Sequence, residues 1–372
     1  MTLKIMHTGD IHLGMKFNQY ANISHELEEA RYQALENTIK EANKRHCSLF
    51  VVAGDLFDKT NIKDQLLIKT IDILDKFAGD AVLILPGNHD YQDGIIDLWQ
   101  RFKQHLTGKM LLLDEEKAYD LRKFDIDAEV YPAPCDSKLS DSNNLGWLKD
   151  IELDNSPEYR IGVAHGALAG FSPDLTDSYF KMTEEELLEL NMDIWLLGHS
   201  HIAYPEAEKV KNRKIFNSGT PEPDGMDCRH RGYAWYLEVN EDKEISAERV
   251  ITGSYHFEDL AQEIKSEADL KKILENLSSD DPEAKILRLK LRGSIPKELF
   301  IDKEKYIDRI KEKTFYAVID QTELRMQIDK EMIAEEFSAG SFPYQLLNEL
   351  ADREEVLNTA YNLLKEVRDE TN

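Results

Sequence analysis

The chain is poor in cysteine and in positive charge, and it has no long apolar run. Its 372 residues include three cysteines, Cys47, Cys135 and Cys228, which are far apart and odd in number. This argues against a disulfide framework or a zinc knuckle and fits a reducing compartment. No stretch approaches the roughly 20 apolar residues of a membrane span, and the first residues lack the apolar core of a signal peptide. We therefore expect a soluble cytoplasmic protein with no membrane partner.

The shortage of positive charge also bears on partners. The chain has 46 lysines and arginines against 72 aspartates and glutamates, so its net charge is -26. A surface that binds nucleic acid through phosphate contacts normally uses Lys and Arg, and the overall charge opposes such binding. Bound divalent cations would offset this charge locally, because ions are often the largest charges in a site.

The order of apolar segments predicts an α/β fold. In the first two-thirds of the chain, short apolar strands alternate with helical patterns, and later strands follow one another without helices. This order favours a mixed sheet or two stacked sheets. The predicted helices run from Ser24 to Arg45 and from Lys63 to Phe77. The predicted strands cover residues 3–7, 48–53, 81–85, 159–164, 193–197, 214–216, 233–239 and 247–251.

A change of composition near His256 indicates further domains. Leucines alternate with cations in the predicted strand Ile286–Arg292, and a helix over 302–311 and a strand over 314–319 follow, which indicates a small βαβ-like unit. Residues 343–369 have a helical pattern. We predict a main domain over residues 1–255, a small α/β domain over 256–330 and a helical C-terminal segment over 331–372.

Five small clusters of Asp, His and Asn follow predicted strands. Each has a Gly or Pro nearby, and the ends of adjacent strands meet at one edge of a sheet, where open α/β folds bind ligands. The clusters are Asp10-Ile11-His12, Gly54-Asp55, Gly87-Asn88-His89-Asp90, His165-Gly166 and Gly198-His199-Ser200-His201.

The residue types in these clusters are those of a metal site. Carboxylate, imidazole and amide ligands suit divalent ions such as Mn or Fe, and two ions about 3.5–4 Å apart can share a carboxylate and clamp a phosphate. Taken singly, a His after a strand is usually structural and a Gly-Asp pair is usually a turn. Five clusters in this order nevertheless favour a metal site.

At this point the sequence resembles the calcineurin-like metallophosphoesterases. All five blocks of that family's pattern are present within about the first 220 residues. The resemblance implies a four-layer α/β/β/α sandwich, here with a small α/β C-terminal domain and a helical tail. It also implies two divalent ions, with Mn expected first and Fe, Mg or Zn as alternatives.

The resemblance assigns a role to each motif residue. One ion would be bound by Asp10, His12 and His201, and the other by Asn88, His165 and His199. Asp55 would bridge the two ions. His89 would contact the phosphate and assist the leaving oxygen, and Asp90 would orient His89. A hydroxide bridging the two metals would attack the phosphorus in line.

Within this family, the segment HTGDIHLG (His7–Gly14) resembles the opening of the SbcD-type nuclease subunits of DNA double-strand-break repair. GDLFD (Gly54–Asp58) matches their second block, although Asp58 stands where many relatives have His, and NSGTP (Asn217–Pro221) matches the turn after the last ligand block. This implies a metal-dependent DNA exonuclease or endonuclease. The implied partners are DNA, an SbcC-type ABC ATPase with a coiled coil, and a second copy of the chain, paired through residues 66–77 and 95–102.

The sequence leaves two other functions open. One is hydrolysis of a small nucleotide or other phosphodiester, which the acidic charge favours. The other is a non-catalytic scaffold, which the complete motif set disfavours.

The basic residues do not decide which surface binds the substrate. Those flanking the last motif, which we expect to be weak phosphate contacts, are Arg213, Lys214, Arg229 and Arg231, with Lys209 and Lys211 nearby. The strand face with Arg288, Lys290 and Arg292 either guides a DNA backbone or is ordinary surface. The apolar stripe of the tail either docks on a partner helix or packs on its own domain.

Overall fold

The computed structural model describes residues 2–153, 156–172, 178–277 and 281–371. The chain divides into two compact units, Met1–Phe257 and Glu258–Asn372. No helix within the described ranges is long and apolar enough to cross a membrane. The division into three parts expected from the sequence remains a prediction.

The first unit alternates strands and helices in its first half and is richer in strands after that. Its helices are α1 (Ser24–Lys44), α2 (Asp64–Leu74), α3 (Leu98–Lys103) and α4 (Glu184–Glu189). Its strands are β1 (Leu3–Thr8), β2 (Leu49–Ala53), β3 (Ala81–Leu85), β4 (Met110–Leu112), β5 (Tyr119–Asp120), β6 (Ala128–Ala133), β7 (Tyr159–His165), β8 (Ile194–Gly198), β9 (Ala203–Tyr204), β10 (Lys209–Lys211), β11 (Ile215–Ser218), β12 (Tyr233–Val239) and β13 (Ile245–Ile251).

These strands form two sheets. The seven-stranded sheet has the order β10-β13-β12-β1-β2-β3-β4, and the six-stranded sheet has the order β5-β6-β7-β8-β11-β9. β1 to β4 are parallel to one another, as are β6, β7, β8 and β11. In each sheet the carboxyl ends of these parallel strands therefore lie at one edge.

The two sheets pack face to face over a shared apolar core. Ile5 and Val51 of the first sheet share this core with Val130 and Ile161 of the second. The outer face of the first sheet packs on α1, α2 and α3, and the outer face of the second packs on α4. This order of helix, sheet, sheet and helix confirms the predicted four-layer α/β sandwich.

The second unit is an α/β unit followed by helices. Its elements are β14 (His256–Glu263, which begins just before the unit boundary), α5 (Glu267–Leu277), β15 (Lys285–Ile295), α6 (Lys297–Lys313), β16 (Tyr316–Met326), α7 (Lys330–Glu336), α8 (Phe342–Glu349) and α9 (Glu354–Thr371). β15 and β16 are parallel, with α6 between them in the chain, so they form the predicted βαβ arrangement. The leucines of β15 are buried, together with apolar residues of α5 and α6.

The tail helices bury their main apolar stripe within this second unit. Leu347 of α8 and Leu357 and Tyr361 of α9 form one buried cluster with Met332 and Ile333 of α7. Phe342 at the start of α8 and Leu363 of α9 are exposed. Most of the predicted stripe therefore packs inside the unit, and a smaller apolar surface faces solvent.

Candidate metal centre

The five motif clusters converge where the two sheets meet. Asp10 follows β1, Asp55 follows β2 and Asn88 follows β3, while His165 ends β7 and His199 follows β8. Because these strands are parallel within each sheet and the sheets are stacked, their carboxyl ends bring the side chains into one buried cluster. The site therefore follows directly from the topology.

The backbone at this edge is held in unusual conformations. Asp10, His12 and Asp55 have φ values of 51°, 49° and 51°, in the left-handed region that non-glycine residues rarely adopt. Gly54 has a φ of 90°, and a Cβ atom at this position would collide with the His165 ring. Such strain persists where the surrounding structure holds it, and it is common at functional sites.

Asp10, His12 and His201 form the first ligand group. Each offers a ligand atom within 4.8 Å of the others. The Nε2 atoms of His12 and His201 are 3.1 Å apart. Two imidazole nitrogens that face each other at this distance need a proton or a cation between them, so this group fits a metal ion.

Asn88, His165 and His199 form the second group. The Oδ1 atom of Asn88 lies 3.0 Å from Nε2 of His165 and 3.3 Å from Nδ1 of His199. The Nδ1 atom of His165 lies 2.8 Å from the carbonyl oxygen of Ala53, which leaves Nε2 directed into the site. One amide oxygen and two imidazoles therefore meet at a second point.

Asp55 lies between the two groups. Its Oδ2 atom is 3.6 Å from Nε2 of His12 and 3.3 Å from Nε2 of His165. Its Oδ1 atom accepts a hydrogen bond of 2.8 Å from the backbone N–H of His89. One carboxylate oxygen is thus fixed by the backbone, and the other is available to both ligand groups.

Burial and mutual charge set the protonation of this cluster. Burial raises the pKa of Asp10 to about 6. Burial also opposes ionisation of Asp55, but the charge and hydrogen bond of His165 hold the Asp55 pKa well below its usual range. Burial holds the pKa of His12 well below its usual value. These carboxylates and imidazoles, directed inward from two sheets, fit two divalent cations.

His89 lies beside the first ligand group. Its ring meets the His12 ring edge to face, with centroids 4.7 Å apart, and its Nδ1 atom lies 3.1 Å from the backbone carbonyl oxygen of Asp58. His89 also offers a ligand atom within 4.8 Å of those of His12 and Asp55. The carbonyl of Asp58 orients the ring and leaves Nε2 for a group bound at the site.

The hydrogen bonds of Asp90 require a correction. The resemblance implies that Asp90 orients His89, but its carboxyl accepts from the backbone N–H groups of Phe57, at 2.9 Å, and Gly87, at 2.7 Å. Burial raises the pKa of Asp90 to about 8. Asp90 therefore fastens the loop after β2 to the loop after β3, and it positions the ligands through the backbone.

Two residues at the centre were not identified from the sequence. Asp224 accepts a hydrogen bond of 2.7 Å from Nδ1 of His201. Arg31 of α1 is 1% exposed, and its Nη1 atom donates to the carbonyl oxygen of Ile11 at 2.7 Å. A sequence signal for Arg31 exists, because a cation four residues from both Leu27 and Leu35 falls on the apolar stripe of a helix.

A cavity of about 300 Å³ opens beside the metal centre. Its wall includes the ligands His199 and His201 together with aromatic, small polar and acidic residues. The ring of Tyr179 lies 5.0 Å from that of His199. The other lining residues are Phe171, Ser172, Ser200, Ile202, Asp224, Asp227 and Cys228.

The four basic residues predicted to contact a substrate phosphate do not all lie on the same side of the first unit as the metal centre. Arg213 and Lys214 precede β11, at the opposite end of the strand from Ser218 and the site, so the structure does not bring them to the metal centre. Arg229 and Arg231 flank His230, whose Nε2 lies 2.6 Å from the carbonyl oxygen of His201. Arg229 also follows Cys228 of the cavity wall. Of the four predicted cations, these two arginines are the ones whose neighbours in the chain contact the centre.

The three cations on the predicted basic face of β15 are all paired with acids of their own sheet. Arg288 pairs with Asp259 of β14, while Lys290 and Arg292 both pair with Glu323 of β16. Cations that are already paired attract a phosphate backbone weakly. This favours ordinary surface over a DNA guide for this strand.

Comparison with known proteins identifies the family. Residues 3–203, more than half of the chain, match the calcineurin-like phosphoesterases. The chain belongs to this family. The resemblance and the enzyme class expected from the motifs, a metal-dependent hydrolase, are thereby confirmed.

Several curated relatives share part of this calcineurin-like chain. The uncharacterized metallophosphoesterase YhaO of Bacillus subtilis is 26% identical over 207 residues, which are 54% of this chain and 48% of that protein. Mre11, a DNA double-strand break repair protein of Methanopyrus kandleri, is 23% identical over 59% of this chain and 49% of its own. One subunit of the nuclease SbcCD from Staphylococcus saprophyticus is 35% identical over 54% of this chain and 56% of its own. The match spans about half the length of these relatives.

Proposed function

We propose that this protein is a two-metal phosphodiesterase that cleaves DNA as an exonuclease or endonuclease in repair. The observation that carries the proposal is the position of the Asp55 carboxylate between two groups of inward-facing ligands. Similarity to proteins named as part of the nuclease SbcCD and as a Mre11 repair protein supports DNA as the substrate. The proposed ligands are Asp10, His12, Asp55, Asn88, His165, His199 and His201.

The proposed reaction depends on the two metal ions that these ligands would bind. Two divalent ions, with Mn as our first choice, would supply a nucleophile at neutral pH and charge neutralisation for a phosphodiester attacked in line. The buried carboxylates and imidazoles would hold these ions without Lys or Cys, and the free oxygen of Asp55 lies between the two groups.

His89 is the proposed catalytic residue of the chain itself. Its Nδ1–H donates to the backbone carbonyl oxygen of Asp58, so the doubly protonated ring would present Nε2–H to a phosphate oxygen and give that proton to the leaving sugar oxygen. Asp90 supports this step from the backbone of the neighbouring loops. Arg229 and Arg231 are the proposed phosphate contacts outside the metal centre.

A small phosphodiester is the second candidate substrate. The cavity beside the centre is about 300 Å³ and is bordered by Asp224 and Asp227, which disfavour a second phosphate there. The net charge of -26 also disfavours a long polyanion. The scaffold function has less support, because every expected motif position is present and buried or half-buried at one site.

The partners are part of the proposal. Exposed Phe342, Val356 and Leu363 of α8 and α9 are the apolar side chains that a coiled coil of an SbcC-type ABC ATPase would cover. For the homodimer, most apolar residues of 66–77 and 95–102 are buried in the core of their own unit, and Ile68 and Ile95 are the exposed ones. We propose a cytoplasmic location on the basis of the nuclease relatives.

The test is hydrolysis of linear double-stranded DNA and of bis-p-nitrophenyl phosphate with added Mn²⁺. The proteins compared are the wild type, His89→Ala and the control His105→Ala, which removes an exposed histidine remote from the motifs in sequence. We expect the wild type and the control to cleave both substrates and His89→Ala to cleave neither. Cleavage of the small diester alone would favour the second candidate, and cleavage of neither by the wild type would refute the phosphodiesterase.

A further inference from the structure

The side of His201 away from the metal ligands carries a hydrogen bond to an acid. Its Nε2 atom faces Nε2 of His12 at 3.1 Å, and its Nδ1–H donates to Oδ2 of Asp224 at 2.7 Å. A histidine can present a lone pair at one nitrogen only when the other carries the proton. Asp224 therefore selects the tautomer of His201 that points its lone pair into the centre.

Asp224 is itself held by a buried cation. The Nη2 atom of Arg31 lies 3.6 Å from Oδ2 of Asp224, and the Nη1 atom of Arg31 donates to the carbonyl oxygen of Ile11 at 2.7 Å. Ile11 lies between the proposed ligands Asp10 and His12. One guanidinium thus links the acid behind His201 to the backbone between the two other ligands of the same group.

The loop that carries Asp224 is fixed on its other side. Glu222 accepts hydrogen bonds from the backbone N–H groups of Ser254, at 2.6 Å, and Tyr255, at 2.9 Å. The hydroxyl of Thr220 contacts the carbonyl oxygens of Glu222, at 2.8 Å, and Asp10, at 2.9 Å. These hydrogen bonds tie the loop that carries Asp224 to Asp10 and hold Asp224 in position.

We propose that Asp224 is a positioning residue that orients His201 for the metal ion held with Asp10 and His12, and that Arg31 keeps Asp224 in place. This rests on the proposed two-metal function. Asp224 lies outside residues 3–203, the range that matches the family. An acid behind a ligating imidazole raises ligand basicity, and its loss typically weakens metal binding about 10–100-fold.

Two variants of Asp224 distinguish the effect of its hydrogen bond to His201 from the effect of its negative charge. Asp224→Ala removes the acceptor and frees the His201 ring to turn. Asp224→Asn keeps an oxygen that accepts from Nδ1–H but removes the negative charge. Asp227→Ala is the matched control, because it removes an exposed carboxylate from the same loop three residues away.

The test is Mn²⁺ binding by isothermal titration calorimetry, together with the thermal midpoint of the metal-free proteins. We expect the wild type and Asp227→Ala to bind two ions. In Asp224→Ala one of the two ions binds about 10–100-fold more weakly and the other is unchanged, with Asp224→Asn in between. The metal-free midpoint of the Asn variant is expected to be lower than that of the wild type, because Arg31 stays buried without the charge of Asp224. The unequal weakening of the two ions is therefore the deciding result.

Three results would overturn the inference. The first is unchanged Mn²⁺ binding in Asp224→Ala, and the second is equal weakening of both ions with a lower metal-free midpoint in both variants, which would make Asp224 a purely structural residue. The third is a wild type that binds no Mn²⁺, which would also remove the proposed function. Only the first two leave the proposed function standing.

Discussion

The Oδ2 atom of Asp55 lies 3.3 Å from the Nε2 atom of His165. These residues follow or end strands of different sheets, β2 and β7, so the contact joins the two halves of the sandwich. The same oxygen is 3.6 Å from His12, which belongs to the other ligand group. The proposed sharing of two ions by one carboxylate depends on this position.

Replacing the shared carboxylate is expected to empty both metal positions. Asp55→Asn keeps the volume and can still accept from the backbone of His89, but it removes the charge between the two groups. We expect Mn²⁺ affinity to fall at both positions and kcat for a diester to fall by about three orders of magnitude or more. Calorimetry and a bis-p-nitrophenyl phosphate assay measure the two effects. Retention of two tightly bound ions would show that Asp55 is not the bridge.

Removing His89 is expected to separate chemistry from metal binding. His89→Ala leaves the seven proposed ligands in place, so two ions should still bind with wild-type affinity. The loss of a proton donor should lower kcat by about 10²–10⁴ and change KM little. Steady-state kinetics and Mn²⁺ titration on the same preparation test this. Loss of an ion in His89→Ala would mean that His89 is a ligand, as its distance to His12 and Asp55 also permits.

The cations of β15 are expected to contribute nothing to DNA affinity. The double variant Arg288→Gln with Asp259→Asn removes one ion pair at constant net charge, and we expect DNA affinity to change by less than about twofold. Arg229→Gln, near the centre, should weaken binding and reduce its salt dependence by about one phosphate contact.

Fluorescence anisotropy with labelled duplex and Mn²⁺ compares these variants. The His89→Ala background prevents cleavage during the measurement. A larger loss for the β15 pair than for Arg229→Gln would reverse the assignment.

Ionisation of Glu222 is expected to destabilise the first unit as pH rises. Burial raises the pKa of Glu222 to about 8, although two backbone N–H groups lower it. A carboxyl whose pKa is raised on folding contributes stability below its unfolded pKa of about 4.5, and this stability is lost as pH rises to about 8. The unfolding free energy of the wild type relative to Glu222→Gln should therefore fall over that range, by up to about 1.4 kcal/mol per pH unit.

Tryptophan fluorescence during urea unfolding follows this effect. All four tryptophans, Trp99, Trp147, Trp195 and Trp235, lie in the first unit, so the signal reports that unit. If the unfolding free energy of the wild type relative to Glu222→Gln stays constant or rises with pH, the predicted ionisation is wrong.

The sequence predicted the fold and most of the centre because both depend on local patterns. Asp10, Asp55 and Asn88 each stand directly after an apolar strand, and parallel strands place such residues at one edge. The spacing of apolar residues predicts the strands and the helix that begins at Ser24. The helix ends at Lys44, one residue before the predicted end. Family membership then confirmed the resemblance that these motifs carry.

The residues that support the ligands were not predictable in this way. Asp224 accepts a hydrogen bond from His201 and lies in the loop between β11 and β12. Arg31, which pairs with Asp224, lies on α1. The apolar stripe of α1 indicates that Arg31 is buried. Its partner and that of His201 depend on the packing of loops, which leaves no periodic signal. The same reason explains Asp90, whose carboxyl bonds to the backbone of two loops instead of to its neighbour His89.

The cations of β15 show a different limit. Alternation with leucines correctly predicts a half-buried strand, but the pattern does not reveal which side chains face Arg288 or Arg292 on the neighbouring strands. Pairing with Asp259 and Glu323 is decided by sheet order and register, and it gives each cation of this face an acidic partner.

We propose that two ions are held on either side of Asp55. Anomalous diffraction at the manganese absorption edge, from crystals soaked in Mn²⁺, tests this. We expect two anomalous peaks about 3.5–4 Å apart, one among Asp10, His12 and His201 and the other among Asn88, His165 and His199, with Asp55 touching both. A single peak, or two peaks of which one lies away from Asp55, would contradict the two-metal centre.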